Sequence, residues 1–289
     1  MISAVPHSET RADRETPTVE EFRRLMHAMV GALEGERVLD ARASRYLRHE
    51  SAYAQEAVYR EVRRLDLPAG ARVVELGAGH GLLAYGLAAG GFRVTAADYF
   101  NPLPETTSRM AAVAKQRARG PLHLDFVKQD LGEADWCLPP EAFDVVISVD
   151  VVEHVGNVVH FMTNCRRLLK RGGHHIVHTP NFGALACRYR SAKSVLRPVW
   201  PVAFESFVRS NPWYGHVREY NARELLQLFD AFGFEVLSQR FPRGADVECL
   251  RELDGRLSAR RRLFHALGEG VRRSWPTLGP VQLVVGVKR

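Results

Sequence analysis

The feature that most constrains this chain is an alternation of two residue patterns. Short β-branched or aliphatic runs, ARVVEL (71–76), FRVTAA (92–97), LHLDFV (122–127), FDVVISV (143–149) and HHIVHT (174–179), are separated by segments 81–91, 104–118 and 157–171 with helical periodicity. Strands alternating with helices predict a doubly wound α/β fold, a parallel sheet wrapped by helices on both faces. Right-handed crossovers then put every strand C-terminus on one rim, where ligands bind.

The flanking regions read differently. Residues 1–17 are polar and predict a disordered N-terminus, neither signal peptide nor anchor. Residues 18–66 carry Val19, Phe22, Leu25, Met26, Met29 and Val30 at helical spacing, with a second stretch from about Ala41 to Leu65, and predict a helical cap. The remaining 67–289 form the main domain. Its rhythm breaks at 183–215, which is apolar yet broken by Pro198, Pro201 and Pro212 and predicts a lid insertion. Asn221 and Glu224 spell a capping box, Gly233 ends that helix before FEVLSQRF (234–241), and a basic helical segment (247–275) leads to a last strand, VQLVVGV (281–287).

Charge is local rather than global. Residues 183–215 hold five basic side chains against Glu205, and 251–275 hold seven arginines against three acids, net +4 each within a chain total of +7. With Trp and Phe interleaved, these stretches suit peripheral contact with an anionic membrane; they are too confined for a protein that wraps nucleic acid. Four dispersed cysteines and no apolar run of roughly 20 residues predict a reduced, cytoplasmic setting without membrane spans. Nothing in the sequence sets an oligomeric state.

The sharpest motif is Glu75-Leu76-Gly77-Ala78-Gly79-His80-Gly81, at the junction of the first strand and the next helix. Glycines there permit a sharp turn and close approach of a ligand. The spacing is Gly-x-Gly-x-Gly, not the Gly-x-Gly-x-x-Gly of dinucleotide folds, and an acid precedes the first glycine by two. A carboxylate beside the loop favours a cationic ligand over a pyrophosphate, and S-adenosylmethionine carries an ammonium and a sulfonium but no phosphate. Asp98 ends the second strand about 20 residues on, where a carboxylate accepts from ribose hydroxyls. Asp130, after the third strand, is placed to accept from an adenine amino group.

On that loop, Asp98, the run Phe143–Val155 (FDVVISVDVVEHV) and His216-Val217-Arg218-Glu219-Tyr220, the chain resembles class I S-adenosylmethionine-dependent methyltransferases. More narrowly it is similar to the group containing ubiquinone-biosynthesis O-methyltransferases and natural-product enzymes. The resemblance implies a Rossmann-like seven-stranded sheet with an antiparallel last strand. It implies that backbone around Glu75, Gly77, Ala78, Gly79 and Gly81 holds the methionine part. Asp98 takes the ribose, Tyr99 lies beside the adenine, Asp130 and Leu131 face its edge, and Val149 lies near the methyl donor.

The histidines supply the catalytic candidates. Transfer to a weakly acidic hydroxyl needs a proton acceptor. His154 follows the fourth strand at the rim and His216 introduces the later motif; both are candidate bases. The three histidines of HHIVH lack an added carboxylate or cysteine at ligand spacing, so no metal is expected there. The sequence thus predicts O-methylation of a small molecule, a natural product or lipid-linked intermediate. N-methylation of a peptide or small amine, and a non-catalytic scaffold of the same fold, are the alternatives.

Overall fold

The computed structural model describes residues 17–37, 39, 41–99, 122–184, 215–242 and 259–289. Most of the expected lid (185–214), the expected helix at 104–118, residues 1–16 and the first part of the basic segment (247–258) lie outside them.

The alternating runs form one seven-stranded sheet: β1 (Arg72–Leu76), β2 (Arg93–Asp98), β3 (Leu124–Lys128), β4 (Phe143–Val149), β5 (Leu169–Pro180), β6 (Phe234–Arg240) and β7 (Val281–Lys288). Their spatial order is β3-β2-β1-β4-β5-β7-β6. β1 to β5 pair in parallel, and β7 runs antiparallel between β5 and β6. The expected antiparallel last strand is therefore present, inserted inside the sheet.

Neighbouring strand residues point to opposite faces, and each face has its own core. Val73, Val145, Ile147, Ile176 and Val285 pack beneath helices α1 (Val19–Gly35), α3 (Ser51–Arg64) and α4 (Leu82–Ala89). Val74, Leu76, Val146, Val177 and Val284 pack beneath α5 (Val158–Leu168) and α6 (Ala222–Ala231).

The N-terminal cap is held by specific contacts. Thr18 and Glu21 form a capping box at the start of α1. Phe22 stacks on Tyr59 of α3 at 4.0 Å, and the Tyr59 hydroxyl donates to the Pro17 carbonyl at 2.7 Å. Gly86 in α4 lets Phe22 sit where a Cβ would collide with its ring. Burying a side chain of that size contributes roughly 1.5–3 kcal/mol.

The second cap helix runs as expected, with α2 (Ala41–Arg45) passing through a π turn (Tyr46–Glu50) into α3, and Arg48 in that turn pairs with Glu34 of α1. One element departs from expectation. The helix expected over 157–171 stops at Leu168, because Leu169 already pairs with Phe143. The register then jumps to Val145 opposite His174, and Gly172, at φ +73°, lets the bulge form. No helix among the described residues is long and apolar enough to cross a membrane.

Candidate active site

The glycine loop closes onto β2. Gly77 and Ala78 donate their amides to the Ala97 carbonyl at 2.8 and 3.2 Å, and the Gly79 amide donates to Asp98 Oδ2 at 2.7 Å. Gly77, at φ +69°, could not be replaced without a Cβ overlapping a methyl of Val151. With those amides committed, the loop has carbonyl oxygens and the neighbouring Glu75 to offer, which is an acceptor set for a cation.

Glu75 lies on β1, fully enclosed, and its Oε2 has no hydrogen-bond partner. Burial pushes its pKa up to about 8; a backbone hydrogen bond from Ala84 opposes the shift and the Asp98 carboxylate adds to it. An enclosed carboxylate with an orphaned oxygen is costly unless a positive ligand group completes it. The residues present therefore fit S-adenosylmethionine and fit a pyrophosphate poorly.

A cleft of about 370 Å³ opens on the rim. Asp98, Tyr99, Asp130, Leu131 and His154 line it together, joined by Gln129, Gly132, Val151, Val155, Gly156 and Val217. Five residues singled out in the sequence thus converge from β2, β3 and β4. Gly77, Ala78, Gly79, Gly81 and Glu75 do not line this cleft and meet it through the Gly79–Asp98 hydrogen bond. Val149 sits one residue back inside β4, opposite His178 of β5, and also does not line it. His216 stands behind His154, their rings edge to face with centroids 4.7 Å apart.

His154 Nδ1 lies 3.1 Å from the Gly215 carbonyl. A carbonyl only accepts, so Nδ1 carries the proton and Nε2 keeps the lone pair. Burial, reinforced by His216, lowers the His154 pKa and holds the ring neutral. His216 Nδ1 in turn lies 2.8 Å from Glu219 Oε1. The same segment is tied down from the turn after β4, because Val217 and Arg218 both donate their amides to the Glu153 carbonyl.

Sequence reasoning missed what lies beneath. Asp150 takes a left-handed backbone conformation (φ +53°) and aims Oδ1 at His178 Nδ1, 2.8 Å away on β5. Glu153 is fully buried, accepts from the Thr179 hydroxyl at 2.9 Å, and leaves Oε1 unpartnered 4.0 Å from His154 Nε2. Burial and the nearby Asp150 raise the Glu153 pKa well above the carboxylate range. Ligating atoms of Glu153, His154 and His216 all lie within 4.8 Å of one another, too far apart to share a proton directly but near enough for one cation to reach all three. The Asp-x-x-Glu-His spacing at the end of β4 was the available signal.

His175 has no part in this. Its ring lies 5.3 Å from both Phe229 and Phe234, and burial lowers its pKa to about 3.

Comparison with known proteins shows the family. The family model described as a methyltransferase domain matches residues 46–239, and the chain belongs to that family. A Mycolicibacterium smegmatis protein named "Probable S-adenosylmethionine-dependent methyltransferase" is 33% identical over 207 residues, 71% of this chain and 65% of that protein. A ubiquinone biosynthesis O-methyltransferase of a Caulobacter species is 31% identical, covering 62% of this chain and 69% of its own length. A second enzyme of that name, from a Bradyrhizobium species, is 31% identical over 50% of this chain and 56% of its length. The matches span between 40% and 70% of the length of these curated relatives, and less than two thirds of most of them. Among solved structures, Haemonchus contortus phosphoethanolamine N-methyltransferase 2 with bound S-adenosyl-L-methionine superposes with a TM-score of 0.56. It is 15% identical, over 92% of this chain and 60% of that one, a likeness of fold alone.

Proposed function

We propose that this chain transfers a methyl group from S-adenosylmethionine to a hydroxyl of a small molecule. The single observation that carries the acceptor reading is His154: a neutral ring on the cleft wall whose proton is fixed on Nδ1, leaving Nε2 as acceptor. S-adenosylmethionine, when bound, supplies the electrophilic methyl on its sulfonium. Glu75 takes the ligand's ammonium, Asp98 accepts from the ribose hydroxyls, and Tyr99, Asp130 and Leu131 hold the adenine. The Val151 and Val155 side chains add apolar wall to the cleft.

His154 Nε2 then takes the proton of the acceptor hydroxyl as the new bond forms. His216 does not touch the cleft; its role is positioning, holding the His154 ring edge-on while Glu219 holds His216. The Caulobacter and Bradyrhizobium relatives carry an O-methyltransferase name, which supports oxygen as the acceptor atom.

Turnover against a panel of hydroxylated and amino acceptors, with product mass and position of methylation determined, tests the reading. The expected outcome is methylation at oxygen, with His154→Ala retaining S-adenosylhomocysteine binding and losing about 10²- to 10⁴-fold in kcat. Methylation at nitrogen, or full activity of the variant, would contradict it. Loss of turnover on chelation, restored by Mg²⁺, would assign the Glu153–His154–His216 cluster to a cation instead.

A further inference from the structure

Helix α7 (Ala259–Ser274) leads through a 3₁₀ turn (Pro276–Leu278) into β7, whose first residue pairs with Pro180 at the end of β5. The end of α7 is therefore held at the rim that carries the cleft. Asn181 fastens it there, donating from Nδ2 to the Thr277 and Gly279 carbonyls at 2.9 and 2.8 Å.

Seven large apolar side chains are exposed among the described residues; four of them lie at or next to this rim, and a fifth, Leu267, lies on α7 itself. Val159 opens α5 just past the rim end of β4. Phe182 follows β5, Val217 lines the cleft, and Leu267 and Trp275 sit on and just beyond α7, 62% and 60% exposed. Leu267 and Val271 are four residues apart, and Trp275 follows after four more, so they form one stripe. Residues 259–275 carry Arg260, Arg261, Arg262, Arg272 and Arg273 against Glu269, net +4.

We propose that this rim and α7 dock on an anionic bilayer, with Leu267 and Trp275 entering the interface and the arginines meeting lipid headgroups. A helix of net positive charge that exposes Leu267, with Trp275 just beyond its end, suits that boundary. The same net charge on a second copy would repel, which disfavours self-association through α7. Nucleic acid would leave the apolar stripe in water. The cleft then opens at the lipid surface, where an acceptor with a lipid tail would lie. Docking needs no turnover, so it stands or falls apart from the acceptor chemistry.

The test is co-sedimentation of the full chain with vesicles of mixed phosphatidylglycerol and phosphatidylcholine, against phosphatidylcholine alone. Binding to the mixed vesicles, weakened by salt, is expected, because exposed charges are screened. Leu267→Ser with Trp275→Ser should weaken it at least about tenfold, since each removes an apolar side chain that docking would bury in the bilayer. Melting temperature and S-adenosylhomocysteine affinity should stay at wild-type values. Trp275→Phe should abolish a vesicle-induced blue shift in tryptophan emission. Any of four outcomes would overturn the proposal: no binding to anionic vesicles, binding unchanged in the double variant, a change of oligomeric state in place of a change in vesicle binding, or preferential binding to duplex DNA.

Discussion

Glu75 should destabilise the ligand-free protein in order to bind its ligand. In the folded chain its pKa is pushed up to about 8 from an ordinary 4.5, with burial the main cause. Between those values the folded state holds a proton that the unfolded state has released. The stability tied to this group is complete below 4.5 and falls with rising pH until about 8, where it levels off. Each pH step of one removes about 1.36 kcal/mol, so roughly 3 kcal/mol is gone by pH 7. Glu75→Gln keeps the shape and cannot ionise. In urea unfolding without ligand, the variant should gain on wild type by that amount between pH 5 and 7. Calorimetry with S-adenosylhomocysteine should show the reverse: wild-type affinity rises with pH from about 6 toward 8 as the carboxylate ionises against the ligand ammonium. The variant should bind weakly with no such slope. Parallel stability curves, or equal affinities, would refute the reasoning.

Asp98→Ala should weaken S-adenosylhomocysteine binding at least about tenfold, from two lost hydrogen bonds worth about 1 kcal/mol each; titration calorimetry reads this, and unchanged affinity would remove Asp98 from the ribose. His175 is a buried ring with both nitrogens unpartnered, its pKa lowered to about 3. Its folded value lies below the unfolded one, so its stability contribution is complete above about 6.5 and is lost as pH falls toward 3. His175→Leu should unfold at higher urea than wild type, with the gap widening as pH drops from 6.5 to 4.5; a constant or reversed gap would contradict the assignment. Gly77→Ala should cost at least about 1–2 kcal/mol from its left-handed backbone, and the Val151 overlap should also depress cofactor affinity, which a thermal melt with and without ligand would detect.

The sheet was legible because its strands are short β-branched runs bounded by Gly, Pro and charged residues. All seven expected runs became strands, and the Asn221–Glu224 box capped its helix as the pattern demands. The glycine loop, Asp98 and Asp130 were legible because each sits at the end of a strand. What sequence could not show joins distant residues. His154 meets Gly215 across 61 positions, and Asp150 meets His178 across 28. Neither pairing has a periodicity, since it depends on β4 lying beside β5 and on a left-handed turn at Asp150. The early start of β5 was hidden for a related reason. Leu169-Lys170-Arg171 continues the polarity of α5, and only its pairing with Phe143 makes it strand.

Selection of S-adenosylmethionine by the acidic glycine loop and Asp98 is open to a direct test, thermal unfolding with S-adenosylhomocysteine, S-adenosylmethionine or NADH. A ligand held only by the folded state adds about 2.7 kcal/mol at about 100 times its dissociation constant. That shift is expected with S-adenosylhomocysteine and S-adenosylmethionine, and none with NADH. Stabilisation by NADH, or by none of the three, would contradict it.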